Sequence, residues 1–301
     1  MKLNRLAGLV WAATACFFSC ALAQPGGDSL GATLTRISTR EAVYLGYRET
    51  AQPFSFLLAG QDKPQGFAWD LCEEVIQVVQ QRLGKNIHVV PVPVTESARV
   101  MMVKSGMIDL DCSGGVNSVA RQKQVAMSNT IFVGEHRVMV RRGSGIERFE
   151  QLADKRVAVL NAGQAERFVR QAALGRNISL QLLSVNSPVE AMTLLLRGDV
   201  DAFVGEDVML AIQRAAQQAD LVLLEGGLAA EPYALMFAKD DASFKKLVDE
   251  TLVAMMQSGL FARVYDKWFV LPSSSEHAAL GLPMSPLLKA AVQAPNDKPV
   301  N

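Results

Sequence analysis

Three arginines raise the first question of chemistry. Arg48 closes the apolar run "EAVYLGYRE" (41–49), Arg99 lies a few residues beyond "NIHVVPVPV" (86–94), and Arg121 follows the apolar positions Met107, Ile108, Leu110 and Cys112 through Ser113-Gly114-Gly115. A guanidinium is planar, always charged, and holds a carboxylate through two parallel hydrogen bonds. Arg121 is the unusual one. Asn117 or Ser118 caps a helix that begins near Val119, so Arg121 falls in a first turn, where unpaired N–H groups favour an anion over a cation. A cation among those N–H groups makes sense when an anion is held between them. Taken singly, each arginine is an ordinary solvated side chain; three after three successive strands point to one anion-binding edge.

The elements that must position them read as two α/β blocks. In the first, strands at 41–49 and 86–94 flank a helix at 69–84 that ends on Gly84, a natural cap. The prolines of 86–94 suggest an edge strand or a strand end. A helix at 95–106, opened by Thr95 and closed by Gly106, leads to the strand around Ile108–Cys112, to a tight loop at Ser113-Gly114-Gly115, and to a long extended run at 130–143. The second block alternates in the same way. Strands are expected at 155–161, 178–185 and 200–207, and helices at 163–174, 187–198 and 208–218, with Pro188 at a first helical position. Extended residues 231–241 and a helical stretch at 242–269, broken at Ser258-Gly259, follow. "VKSGMIDLDC" and "LLRGDVDAFV" echo one another, each a helix ending in Gly that feeds a strand through an acidic turn. Short loops in this order imply parallel, doubly wound sheets in two lobes of similar design. Ligands of such sheets bind beyond the carboxyl ends of the strands, the edge that carries Arg48, Arg99 and Arg121.

Bulk composition narrows the partners. The 301 residues carry 30 basic and 30 acidic side chains, half the chain is hydrophobic, and the length suits about two domains. The balanced charge offers no footprint for nucleic acid. Residues 1–23 read as a secretory signal, with Lys2 and Arg5, an apolar stretch from Leu6, and Ala21-Leu22-Ala23 as the cleavage site. An uncleaved anchor is the alternative, and Cys20 is poorly placed for a lipoprotein signal. Loss of Lys2 and Arg5 leaves 28 basic against 30 acidic residues, a net charge of −2. Of the four cysteines, Cys72 and Cys112 remain; in an oxidising compartment they either bridge or are two small buried apolar residues. They match no metal spacing, and His88, His136 and His277 are scattered, so no metal or other cofactor is expected. Residues 273–301, rich in Ser, Pro and Ala, are expected to lie along the surface or to lack fixed structure.

The chain resembles the periplasmic solute-binding proteins of polar amino-acid ABC transporters (family 3), and most of all their glutamate/aspartate branch. The motifs that carry the resemblance are "GYRETAQPFSF", "NSVARQKQVAMSNTIFV", "DDASFKKLVDETL", "YDKWF" and the terminal "PNDKPVN". It implies a two-lobed periplasmic binding protein fold of type II: lobe 1 from 30–133 plus 231–272, lobe 2 from 134–230, and two crossover hinge strands between them. It further implies a monomer in the periplasm that closes on an acidic amino acid or di-acid and presents it to an inner-membrane permease. In that scheme Arg121 holds the α-carboxylate, Arg48 and Arg99 a side-chain carboxylate, and Glu206 the ammonium group. The chain departs from the branch at several points. Gly114 and Val116 stand where hydroxyl residues are usual, Glu96 where a serine is, Pro188 where a histidine is, and Glu206 in place of an aspartate. Each lost hydrogen bond to a charged ligand group costs about 1.5–3 kcal/mol unless water or another group replaces it. Two other uses of the fold stay open. A dehydratase-like enzyme would need a general acid or base, for which Glu206, Glu96 and Asp207 have the right type. The partner of a sensor or chemoreceptor would need only the binding step.

Overall fold

The computed structural model describes residues 30–161, 163–217, 220–271 and 279–300; the export signal expected at 1–23 and part of the carboxyl tail lie outside them. A helix that apolar spacing does not reveal, α1 (Ala32–Arg40), packs Leu34 and Ile37 inward ahead of strand β1 (Ala42–Tyr47). A two-stranded hairpin follows, β2 (Thr50–Ala51) with β3 (Ser55–Phe56). Helix α2 (Phe67–Leu83) buries Leu71, Cys72, Val75, Ile76 and Val79, an apolar stripe at helical spacing, and ends on Gly84 in the left-handed conformation. Then come β4 (His88–Pro93), α3 (Arg99–Ser105), β5 (Leu110–Val116), the single turn α4 (Val119–Gln122), β6 (Ala126–Met127) and β7 (Phe132–Arg141).

The middle of the chain runs β8 (Arg156–Leu160), α5 (Gln164–Gly175), β9 (Gln181–Val185), α6 (Pro188–Arg197), β10 (Ala202–Glu206), α7 (Asp207–Gln217) and β11 (Leu221–Leu223). Strand β12 (Ala229–Phe237) then leads to α8 (Ala242–Gln257), α9 (Leu260–Tyr265), a π-helical turn at Asp266–Val270, and α10 (Pro286–Gln293). The strands line up as β4-β1-β5-β12-β7-β10-β8-β9. Within the first half β1 is parallel to both neighbours, and within the second β8 is parallel to both of its own. Strands β7 and β12 pair antiparallel across the middle, His136 opposite Ala229 and Phe132 opposite Tyr233, so the chain passes between the halves twice along adjacent strands. This is the two-lobed α/β architecture, with mainly parallel sheets joined by paired crossing strands.

Apolar burial follows that division. One large cluster packs α1, α2, α8 and α9 on the first sheet, and two others lie within residues 138–224. Fully burying each large apolar side chain contributes roughly 1.5–3 kcal/mol. Val208 and Ala211 of α7 join the first cluster, so the two halves meet through an apolar contact beside the crossing strands. Cys72 and Cys112 are disulfide-bonded, which pins α2 to β5 across 40 residues of sequence. Closing a loop of that size typically stabilises a fold by about 2–4 kcal/mol, mainly through the unfolded chain. The Cys72→Ala/Cys112→Ala protein should lose stability on that scale in urea unfolding, and the parent refolded with excess reductant should match it. Equal stability of reduced and oxidised parent would mean the bridge contributes nothing.

Several local expectations change. Thr95 opens a turn, accepting the N–H of Ala98 through its hydroxyl, and the helix begins only at Arg99. Met107 is largely exposed, because the chain is still turning after α3 and β5 starts at Leu110. Ser113-Gly114-Gly115 is no loop: it continues β5 alongside β12, whose register slips between Ala234 and Met236. The tail is also ordered where described. Leu282 and Leu288 are buried, and Val300 bridges to Ser118. The Asp297 carbonyl accepts hydrogen bonds from Asn117 and Gln122. Side-chain and backbone partners on the loop around Arg121, invisible to composition, hold residues 297–300 in place.

Candidate functional site

Parallel pairing of β4, β1 and β5 delivers the residues after each strand to one edge of the sheet. Arg48 stands just past β1, Glu96 and Arg99 follow β4, and Arg121 follows β5 in α4, capped by the Ser118 side chain. The three arginines expected there do converge, and Glu96 joins them. Its Oε1 accepts from Nη2 of Arg99 at 2.7 Å and from Nη2 of Arg121, while Oε2 accepts from Nη1 of Arg48 at 3.3 Å. Burial alone would raise the Glu96 carboxyl, but the charges of Arg99, Arg121 and Arg48 bring it below the ordinary value. Because α4 is a single turn, a helix dipole has little bearing on Arg121. Its environment is Glu96 and the Val116 carbonyl, which accepts from Nη1 at 2.9 Å. Val116 thus contributes backbone, independent of a side-chain hydroxyl.

Arg99 differs from the other two in being buried. Its Nη1 donates to Asp111 (3.3 Å), Ser113 Oγ (3.0 Å) and the Gly114 carbonyl (3.2 Å), and its Nε is buried without a partner. Two glycines shape the surroundings, Gly114 against Phe54 and Gly115 against Arg99. Gly114 sits at φ +65°, a conformation that side chains rarely adopt, and a Cβ on Gly115 would lie 2.6 Å from Nη2 of Arg99. Gly115 is a residue that motif reading misses, although the doubled glycine beside an arginine is a usable signal.

A cavity of about 330 Å³ opens beside this cluster. Arg48, Ser113 and Gly114 line one side, Glu206, Asp207 and Met209 the other, and Phe54, Phe132 and Tyr233 form its aromatic wall. Phe54 anchors that wall, with ring centroids 5.0 Å from Phe132 and 5.4 Å from Tyr233. Arg99, Arg121, Glu96 and Val116 do not line the cavity; Arg99 and Arg121 reach Arg48 through Glu96, and Val116 meets Arg121. Strand β10 ends in Glu206 and α7 begins with Asp207, so two acidic residues from the second half line the same cavity as Arg48. Surrounding protein raises the Glu206 carboxyl, with the charge of Glu231 adding to it. Burial pushes Asp207 up to about 7 despite N–H bonds from Val208 and Glu135. The aromatic wall and Asp207 come from distant segments and carry no sequence spacing that links them to the arginines. A larger hollow of about 600 Å³, between α1, α2 and α8, contains none of the residues expected in a site. Among the described residues no cluster suits a metal ion, and no helix is long and apolar enough to cross a membrane.

A two-lobed fold with a cleft lined by Arg48 on one side and by Glu206 and Asp207 on the other is the architecture of a solute-binding protein. The chain belongs to the bacterial extracellular solute-binding proteins, family 3, whose model matches residues 43–270. It is 31% identical over 284 residues to the glutamate/aspartate import solute-binding protein of Escherichia coli, covering 93% of this chain and 94% of that one. Identity is again 31%, over 274 residues, with the L-glutamate/L-aspartate-binding protein of Pseudomonas aeruginosa, covering 90% and 91%. Its fold is similar to that of a polar amino acid ABC uptake transporter substrate-binding protein from Streptococcus thermophilus, with a TM-score of 0.65 at 17% identity, covering 78% and 88%.

Proposed function

We propose that the protein is the extracytoplasmic solute-binding subunit of an amino-acid ABC transporter. In this reading it is exported to the periplasm by residues 1–23 and acts there as a monomer. It captures its solute between lobe 1 (30–133 plus 231–272) and lobe 2 (134–230), and hands it to an inner-membrane permease. The observation that carries this is the charge layout of the 330 Å³ cavity, with Arg48 on one side and Glu206 and Asp207 on the other. That layout complements the carboxylate and ammonium of one zwitterion. Arg121 with Arg48 is assigned to the α-carboxylate and Glu206 to the ammonium, while Arg99, expected from sequence to hold a side-chain carboxylate, is buried against Asp111 and positions the cluster. The names of the curated relatives make glutamate and aspartate the first ligands to test. Those names describe binding rather than catalysis, in keeping with a protein that releases its ligand unchanged.

A thermal-shift screen of the exported chain against the amino acids and simple di-acids tests this reading, since a ligand that binds only the folded state raises its melting temperature. At least one amino acid should stabilise the protein. With that ligand, small-angle scattering should show a smaller radius of gyration, because the paired strands β7 and β12 can hinge without unpacking either sheet. No stabilisation by any amino acid, or an unchanged radius at saturation, would count against capture by closure.

The carboxyl groups also set a pH dependence. A ligand ammonium favours the ionised forms of Glu206 and Asp207, so binding releases protons and affinity rises with pH. Surrounding protein and the charge of Glu231 raise Glu206, and burial pushes Asp207 up to about 7, so affinity should increase from pH 6 to pH 8. Calorimetry with an amino acid and its des-amino analogue separates this effect from others, since only the ammonium-bearing ligand should follow the trend.

A further inference from the structure

The carboxylate at the centre of the arginine cluster belongs to the protein. Glu96 touches Arg48, Arg99 and Arg121 together, and Arg99 also pairs with the buried Asp111. Three guanidinium groups against two carboxylates leave a single positive charge. One ligand carboxylate completes that balance; a second would enter beside a carboxylate that already holds the same nitrogens. The cavity lining leads to the same conclusion. Among the described residues Arg48 is its one cationic lining residue. The rest are the acidic Glu206 and Asp207, uncharged polar residues such as Gln52 and Gln213, and apolar residues such as Phe54 and Ile212, a lining that offers no second cation for a side-chain carboxylate.

We propose that Glu96 supplies from the protein a carboxylate that the arginine cluster would otherwise draw from the ligand's side chain. The cleft therefore selects an amino acid with one carboxylate and an uncharged side chain over its dicarboxylate counterpart. This rests on the reading that the cleft captures an amino acid, and it narrows the ligand within that reading. Glu96 is then a specificity-determining residue. Its removal takes the carboxylate partner from Arg48, which lines the cavity, and from Arg121 and Arg99 behind it, and so invites a second ligand carboxylate.

The test compares near-isosteric pairs, glutamine with glutamate and asparagine with aspartate, by calorimetry on the parent, Glu96→Gln and Glu96→Ser proteins. The parent should bind the amide at least about 10-fold more tightly than the acid, since like charges forced together at a binding site are strongly disfavoured. Glu96→Ser should move that ratio toward the acid by about 10-fold or more, and Glu96→Gln, which keeps the shape, should move it the same way. A parent that prefers the acid means Glu96 swings aside for the ligand, and overturns the proposal. An unchanged ratio in both variants overturns it as well. If the parent binds none of the four, the thermal-shift screen decides: a neutral amino acid as the stabilising ligand supports the proposal, and an acidic or cationic one overturns it. No stabilisation by any amino acid defeats the capture reading itself, a result distinct from all the others.

Discussion

Arg121→Ala should lower affinity for any carboxylate ligand by about 2–5 kcal/mol, the cost of truncating one member of a charge pair that lobe closure buries. That is a loss of roughly 30-fold to several thousand-fold in the dissociation constant. Folding should survive. The side chain is partly exposed, its Nη1 donates to a single carbonyl, and Glu96 keeps Arg99 and Arg48 when Arg121 is gone. Titration calorimetry gives the affinity, and far-ultraviolet dichroism checks the fold. A folded variant that binds as tightly as the parent would place Arg121 outside the site and leave Arg48 as the cation that matters.

Arg99→Ala should act on stability instead, by about 3–5 kcal/mol, because it leaves a buried charge without its partner. Asp111 is buried, and its pairing with Arg99 offsets the cost of removing both charges from water. The guanidinium also ties Ser113 and the Gly114 carbonyl, so β5 would loosen where it borders the cavity. Urea unfolding measures the loss. Adding Asp111→Asn should recover part of it, since the orphaned charge is then removed, and the size of the recovery is the coupling between the two residues. A single variant as stable as the parent would show that Arg99 is not a structural ion pair, and would return it to the role of a direct ligand group. The contrast between Arg99 and Arg121, one holding the scaffold and the other open to a ligand, has no counterpart in their sequence surroundings.

Local signals determined much of the architecture. Apolar stripes at helical spacing and glycine caps marked α2, α5, α6 and α8, and the alternation of strand and helix implied two doubly wound sheets. The same order predicted that the residues after β1, β4 and β5 share an edge, because parallel strands deliver their carboxyl ends to one side. What escaped was either short or non-local. Hairpin β2–β3 and strand β11 are too brief for periodicity to register, α10 packs on α8 and β7, and Val300 is held by partners on the loop around Arg121. Ser113-Gly114-Gly115 looked like a loop because glycines break strands, yet pairing with β12 overrides that preference, and the missing side chain of Gly115 admits Arg99. Cys72 and Cys112 could bridge or stay apart until α2 packed on β5 and brought their Cα atoms to 6.1 Å. Glu96 was visible as a departure from an expected serine, but its meaning depends on distances to three arginines drawn from three segments. Sequence determines which side chains reach the edge of a parallel sheet, because that follows from chain order. Only the tertiary structure decides which of them neutralise one another there, because Coulombic pairing depends on separations of a few ångströms that no spacing along the chain encodes.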